Sequence, residues 1–176
     1  MINKNPQDQF PQIDSSAYVD STAIILGNVK IGKNVFIGPL TVIRADELNS
    51  FIEIQDNSNV QDRVTIHSLE NSDVVVKENT SLSHGCIVHG PCVIGNHCFV
   101  GFGALVFKSS IADNVFIKNR AVVDNVNISE NSIVDTADVI KEEKDLLKLK
   151  SLDDKSKDFM DNVVRANLSL VKGYKK

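Results

Sequence analysis

Aliphatic residues recur every six positions along this chain: Ile13, Val19, Ile25, Ile31, Ile37 and Ile43, then Ile54, Val60 and Ile66, then Val76, Leu82, Val88, Ile94, Val100 and Val106. The beat slips by one to Ile111 and Ile117 and fades around Ile128 and Val134. Six is a multiple of the two-residue period of a strand and not of the 3.6-residue period of a helix, so the pattern predicts short strands. Small or β-branched residues follow most beats four positions later (Ala17, Ala23, Val29, Val35, Thr41), and Gly, Asn and Asp between beats supply turn chemistry. A β-sandwich would space its strands 8–12 residues apart with hairpin turns, which leaves so regular a beat unexplained. Repeated hexads instead predict an all-β solenoid, a parallel β-helix in which each coil pairs with the next.

The pattern resembles the hexapeptide-repeat, left-handed β-helix superfamily. That resemblance implies three hexads per coil, a triangular prism and the left hand, against the usual preference for right-handed crossovers. Two interruptions break the beat, between Ile43 and Ile54 (extra residues near Glu47–Phe51) and between Ile66 and Val76 (extra residues near Ser68–Asp73). Interruptions of a solenoid become surface loops, often where function sits. The expected organisation is a β-helix over 1–138 and a C-terminal helical segment, 139–176, packed along it. From about Asp153 the period changes, and Phe159, Val163, Val164, Leu170, Val171 and Tyr174 fall on one stripe of an amphipathic helix. Asn167 sits inside that stripe, where an amide needs a partner.

Composition narrows the function classes. A chain of 176 residues with 42% hydrophobic and 24% charged residues folds as a globular unit, and a net charge of -4 argues against a nucleic-acid partner. No apolar run is long enough to span a bilayer, and Met1 to Gln12 lacks the apolar core of a secretory signal, so a cytoplasmic protein with no membrane partner is expected. Neither a GxxxxGK[ST] loop nor a GxGxxG turn occurs. The three cysteines, Cys86, Cys92 and Cys98, each stand four after a beat residue and read as inward core filler, not as a disulfide framework or metal ligands.

The histidines carry the chemistry. His67 follows Ile66 and His89 follows Val88, one coil apart on what the hexad count makes the same face. Parallel strands lie about 4.8 Å apart, so two such imidazoles can share one ion. His84 stands two places after Leu82, at the corner leading into that face. Five extended residues, roughly 16 Å, separate it from His89, too far to join the pair within one chain. A neighbouring subunit can supply it instead, and three identical head-to-tail contacts close a ring. The expectation is a homotrimer with three interfacial metal sites. His97 falls outside this column and reads as an exposed surface residue. Asp62, one coil before His84, is the expected carboxylate partner of that ring. Arg44 and Asp46 are expected to pair near the subunit interface.

The segments Arg44-Ala45-Asp46-Glu47, Asn59-Val60-Gln61-Asp62, Thr65-Ile66-His67 and His84-Gly85-Cys86-Ile87-Val88-His89-Gly90-Pro91 resemble, in order, the motifs of the γ-class carbonic anhydrases. Val106-Phe107-Lys108-Ser109 and the ending Asn167…Gly173-Tyr174-Lys175 are similar too. The resemblance implies that His67, His84 and His89 are the metal ligands, with His84 donated across the trimer interface. It implies that Gln61 hydrogen-bonds the metal-bound water, that Glu47 and Glu70 serve catalysis and proton shuttling, and that Asn167 helps position carbon dioxide. It places Asn59 with Arg44, Asp46 and Asp62 among the supporting and interface residues. The segment Ser68–Asp73 is shorter than the acidic loop of the better-studied form of the family.

The expected activity is reversible hydration of carbon dioxide to bicarbonate by a metal-bound hydroxide. Imidazole ligation suits Zn2+, with Fe2+ or Co2+ as alternatives. Two other readings stay open at this point. One is an acyltransferase using acyl-CoA, which needs a histidine base and no metal. The other is a non-catalytic metal-binding or assembly protein.

Overall fold

The computed structural model describes residues 1–175. Its strands form three sheets of eight, seven and eight strands, in which every strand but the last is paired in parallel with those three places before and after it in sequence. The chain is thus a left-handed parallel β-helix with three faces. Face one carries Ile24–Gly27, Val42–Ala45, Thr65–His67, Ile87–His89 and Leu105–Phe107. Face two carries Val29–Ile31, Phe51–Ile54, Asp73–Val76 and Cys92–Ile94. Face three carries Phe36–Ile37, Asn59–Val60, Ser81–Leu82 and Phe99–Val100.

Beat residues stack inside the prism: Ile43, Ile66, Val88 and Val106 are aligned on face one and fully buried. The residue four places on also turns inward, so Cys86, Cys92 and Cys98 lie in the core beside Ala104 and Val115. Inward hydroxyls are satisfied by the backbone of the next coil. Thr41 Oγ1 donates to the Gln61 carbonyl at 2.8 Å and Thr80 Oγ1 to that of Gly95 at 2.7 Å. Pairing on face one continues past residue 138 to Val139–Ile140, which aligns with Val122–Val123.

Corners turn through the left-handed region. Between faces two and three this falls to Asn34, Asn57, Asn79, Asn114 and Asn131, with His97 taking the same place in one coil. Asparagine tolerates positive φ better than other non-glycine residues, which explains its recurrence. The two interruptions of the beat are loops at the corner between faces one and two. They stack on one another: Asn71 N donates to the Leu48 carbonyl, and Asn49 Nδ2 to Asn71 Oδ1 at 2.8 Å.

The C-terminal end of the prism is covered by a 3-10 helix, Glu143–Lys148, whose Leu146 packs with Leu149 on the core. A short strand, Lys150–Ser151, pairs antiparallel with Ser132–Ile133. These elements occupy the open sheet edge. The α-helix Asp154–Tyr174 follows, capped by Asp153, which accepts a hydrogen bond from Ser156 N at 2.7 Å. It lies along face three and buries Met160, Val164, Asn167 and Val171. This stripe differs from the expected one. Val164 and Val171 face inward, but Phe159, Leu170 and Tyr174 are 43%, 44% and 61% exposed. Phe159 instead flanks the groove against Phe99 and Phe116, and Tyr174 stacks on Tyr18 with centroids 4.6 Å apart. No helix among the described residues is long and apolar enough to cross a membrane.

Candidate metal centre

On face one the outward column after the beat reads Leu26, Arg44, His67, His89, Phe107 and Asp124, one residue per coil. Strand register alone therefore brings His67 and His89 together. His67 Nδ1 lies 3.0 Å from His89 Nε2, with the rings edge to face. Two nitrogens bound at about 2.0–2.1 Å to one tetrahedral ion would stand about 3.3 Å apart, so the observed gap is close to that of a shared ligand pair. His67 Nε2 is buried and has no hydrogen-bond partner. Asp46 Oδ1 and Glu47 Oε1 approach that nitrogen at 3.6 and 3.4 Å. Burial, and next the neighbouring His89 and Arg44, push the His67 ring below its ordinary pKa, while Glu47 and Asp46 oppose the shift. A neutral imidazole is the form a metal takes.

Arg44 and Asp46 pair as expected, with Arg44 Nε donating to Asp46 Oδ2 at 3.1 Å. Glu47 does more than face His67: its Oε2 accepts the backbone N–H of Glu70 at 2.7 Å, joining the two corner loops. Glu70 itself is exposed, on the loop beside this group.

Gln61, Asp62, His84 and Asn167 gather elsewhere, in a cleft of about 390 Å³ between face three, its corner and the helix. Phe36, Pro39, Leu170 and Tyr174 complete its walls. Gln61 is buried, and its Nε2 donates to Asn59 Oδ1 at 3.0 Å while Asn59 Nδ2 donates to Ser81 Oγ at 2.7 Å. With its amide nitrogen so engaged, Gln61 keeps Oε1 as a free acceptor. Asn167 Nδ2 donates to the Val163 carbonyl one turn earlier at 2.9 Å, the partner its place on the helix required. His84 Nδ1 stands 3.4 Å from Asp62 Oδ2. His97 is exposed, 3.9 Å from Asp161 on the helix.

The expected site residues thus fall into two groups on different parts of one chain. Arg44, Asp46, Glu47, His67 and His89 form one, with Glu70 alongside; Gln61, Asp62, His84 and Asn167 form the other, with Asn59 behind Gln61. Among the described residues, no three His, Cys, Asp or Glu side chains are arranged to hold a metal within a single chain. Sequence reasoning missed the aromatic rings beside the histidines. Phe102 stacks on His84 and Phe107 meets His89 edge-on. The signal was present, since each phenylalanine stands where its histidine does, one coil later.

Fold and site together define a hexapeptide-repeat β-helix protein with a histidine pair on one face. The family model for bacterial transferase hexapeptide (six repeats) matches residues 10–45 and 73–108. A carbonic anhydrase from Methanosarcina thermophila is 33% identical over 97% of this chain and 77% of its own length. The carboxysome assembly protein CcmM of a Nostoc species is 34% identical over 93% of this chain, which spans only 31% of that longer protein. Among solved structures, a hexapeptide transferase family protein from Anaplasma phagocytophilum superposes with a TM-score of 0.84 at 23% identity, over 99% of this chain and 98% of that one. At that identity the likeness speaks for the fold alone. The chain belongs to the γ-class carbonic anhydrase family of hexapeptide-repeat proteins.

Proposed function

We propose that this protein is a homotrimeric, metal-dependent carbonic anhydrase, catalysing the reversible hydration of carbon dioxide to bicarbonate. His67 and His89 of one subunit and His84 of the next hold the ion, zinc in the first instance, with iron(II) or cobalt(II) also suited to three imidazoles. The observation that carries the reading is the His67–His89 pair, in register with His67 Nδ1 3.0 Å from His89 Nε2, beside a buried His67 Nε2 that has no hydrogen-bond partner. The identity to the Methanosarcina carbonic anhydrase supports it.

When bound, a divalent ion supplies the Lewis acidity that brings the pKa of water from 15.7 toward roughly 7. The protein's own groups do the rest. Gln61 Oε1, left free by Asn59, accepts a hydrogen bond from water in the cleft. Asn167 orients carbon dioxide against the apolar wall of Phe36, Leu170 and Tyr174. Glu47 takes the proton released near His67, and exposed Glu70 on the adjoining loop passes it to buffer.

The trimer has a surface to form on. The other outward column of face one, Val42, Thr65, Ile87, Leu105 and Val122, is almost wholly aliphatic, and Ile87 is 41% exposed. Beside His84, Gly85 has open space where a Cβ would stand, so bare backbone is offered to a neighbouring chain. A head-to-tail contact of face one with this corner closes into a ring.

Metal analysis with a carbon dioxide hydration assay on the purified protein tests the reading. One ion per chain in a trimer, with activity lost on chelation and regained on adding metal, is the expected result. A metal-loaded trimer without hydration activity would overturn the enzymatic part and favour an assembly role like that in the name of the Nostoc relative.

A further inference from the structure

We infer that Phe102 is a positioning residue for His84, holding its imidazole in the orientation from which it reaches an ion on the neighbouring subunit. The inference rests on the reading of His84 as the third ligand. Pro39, Asp62, His84, Phe102 and Asn119 occupy equivalent places at one corner. Each carbonyl there accepts the amide of the turn residue one coil later (Arg63, Gly85, Gly103, Arg120 and Ala137). Side chains at this corner point out of the prism, so an aromatic ring there adds nothing to the core. Phe102 is accordingly 45% exposed.

What the ring does touch is His84. The two are stacked with centroids 5.5 Å apart and planes within 24°. On the other side His84 Nδ1 meets Asp62 Oδ2 at 3.4 Å. The backbone that carries the phenyl ring is itself held, since Phe102 N donates to Asn119 Oδ1 at 3.0 Å. The two restraints on the imidazole are complementary. The carboxylate selects the ring flip that commits Nδ1 to Asp62 and leaves Nε2 free, as partners of metal-bound histidines do. It leaves the tilt of the ring unset, and stacking supplies that. Without the phenyl ring, a histidine side chain 47% exposed would sample several rotamers, and ordering it would be charged against metal affinity. His89 also meets a phenylalanine one coil later, but edge-on: Phe107 lies 5.3 Å away between ring centroids.

The test compares full-length protein with Phe102→Ala, Phe102→Trp and His84→Ala. Zinc affinity is read by competition with a chelator, subunit mass by light scattering, and the His84 side-chain rotamer by three-bond NMR couplings in metal-free protein. Phe102→Ala should weaken zinc binding about 10–100-fold, leave the trimer mass unchanged and turn a single His84 rotamer into a mixture. Phe102→Trp should restore most of the affinity. Parental affinity in Phe102→Ala while His84→Ala loses zinc would overturn this inference alone. So would loss of the trimer in Phe102→Ala, which would make Phe102 an interface residue. Parental affinity in His84→Ala would instead overturn the ligand reading on which the inference stands.

Discussion

On face one, His67 and His89 meet because parallel strands place residues of equal register beside each other, and their surroundings are half-buried and rich in carboxylate. At the corner between faces three and one, His84 is half exposed and its neighbours come from three different parts of the chain: Gln61 and Asp62, Phe102, and the helix residue Asn167. The first group is assembled by the solenoid itself and needs no other element. The second needs the helix to be docked and the corner side chains to be held. Disturbing the coil register should therefore damage both groups, whereas disturbing the helix should damage only the second.

The sharpest way to break the comparison is to separate the groups genetically. His67→Ala and His84→Ala should each abolish stoichiometric metal and activity. Assembling equal amounts of the two variants into mixed trimers should restore about one quarter of the sites, because an intact face-one group then meets an intact corner at that fraction of head-to-tail interfaces. No recovery would place both groups of each site on the same chain.

A smaller effect should follow from loosening the helix. Met160→Ala leaves a cavity in its buried stripe and should cost about 2–4 kcal/mol, read from denaturant unfolding. Metal binding should weaken through the corner group, while the Arg44–Asp46 pair and the His67–His89 pair stay as they are. Damage confined to face one would contradict the division.

The next effect belongs to face one. Because the folded His67 ring titrates below its ordinary value, chiefly through burial, the unfolded chain binds its proton at higher pH. The unfolded state therefore holds more protons over that interval. Metal-free protein should lose stability as pH falls through about 6.5 toward the lower folded-state value, and the loss should end below it. Melting curves of His67→Gln should show a flatter dependence, and an unchanged slope would assign the effect to another group.

The smallest effect is expected between the groups, where Cys86 separates His84 from His89 in sequence but points into the core. Cys86→Ala should cost about 1 kcal/mol and leave metal content unchanged. Burial pushes the Cys92 and Cys98 thiols up to about 12, so thiol reagents should label the native protein slowly and label all three cysteines after denaturation. Loss of metal in Cys86→Ala would show that the core thiol takes part in the centre.

Much of this was legible before the fold was seen, and for a definite reason. A beat of six with its inward and outward alternation fixes which residues of successive coils are neighbours, so the alignment of His67 with His89 and of Arg44 with His67 follows from counting. The inward place of the cysteines follows in the same way. The rotation of the helix did not. Phe159, Leu170 and Tyr174 are as apolar as the residues it buries, and hydrophobic spacing cannot tell a stripe from its flank. The choice was made by the shape of face three. There Phe99 and Phe116 pack against Phe159, and Tyr18 and Phe36 against Tyr174, at the two flanks of the helix, while Met160, Val164, Asn167 and Val171 are buried.

The amino-acid order by itself determined the coil and, with the three hexads per coil that the family resemblance implies, the pair of imidazoles on one face, because these depend only on local period and on the pairing of like strands. Tertiary structure alone decided the cleft around His84, where Asn167, Leu170 and Tyr174 of the helix close against Gln61 and Asp62. Those contacts join segments whose separation in sequence carries no period, and their geometry exists only once the helix has settled against the sheet.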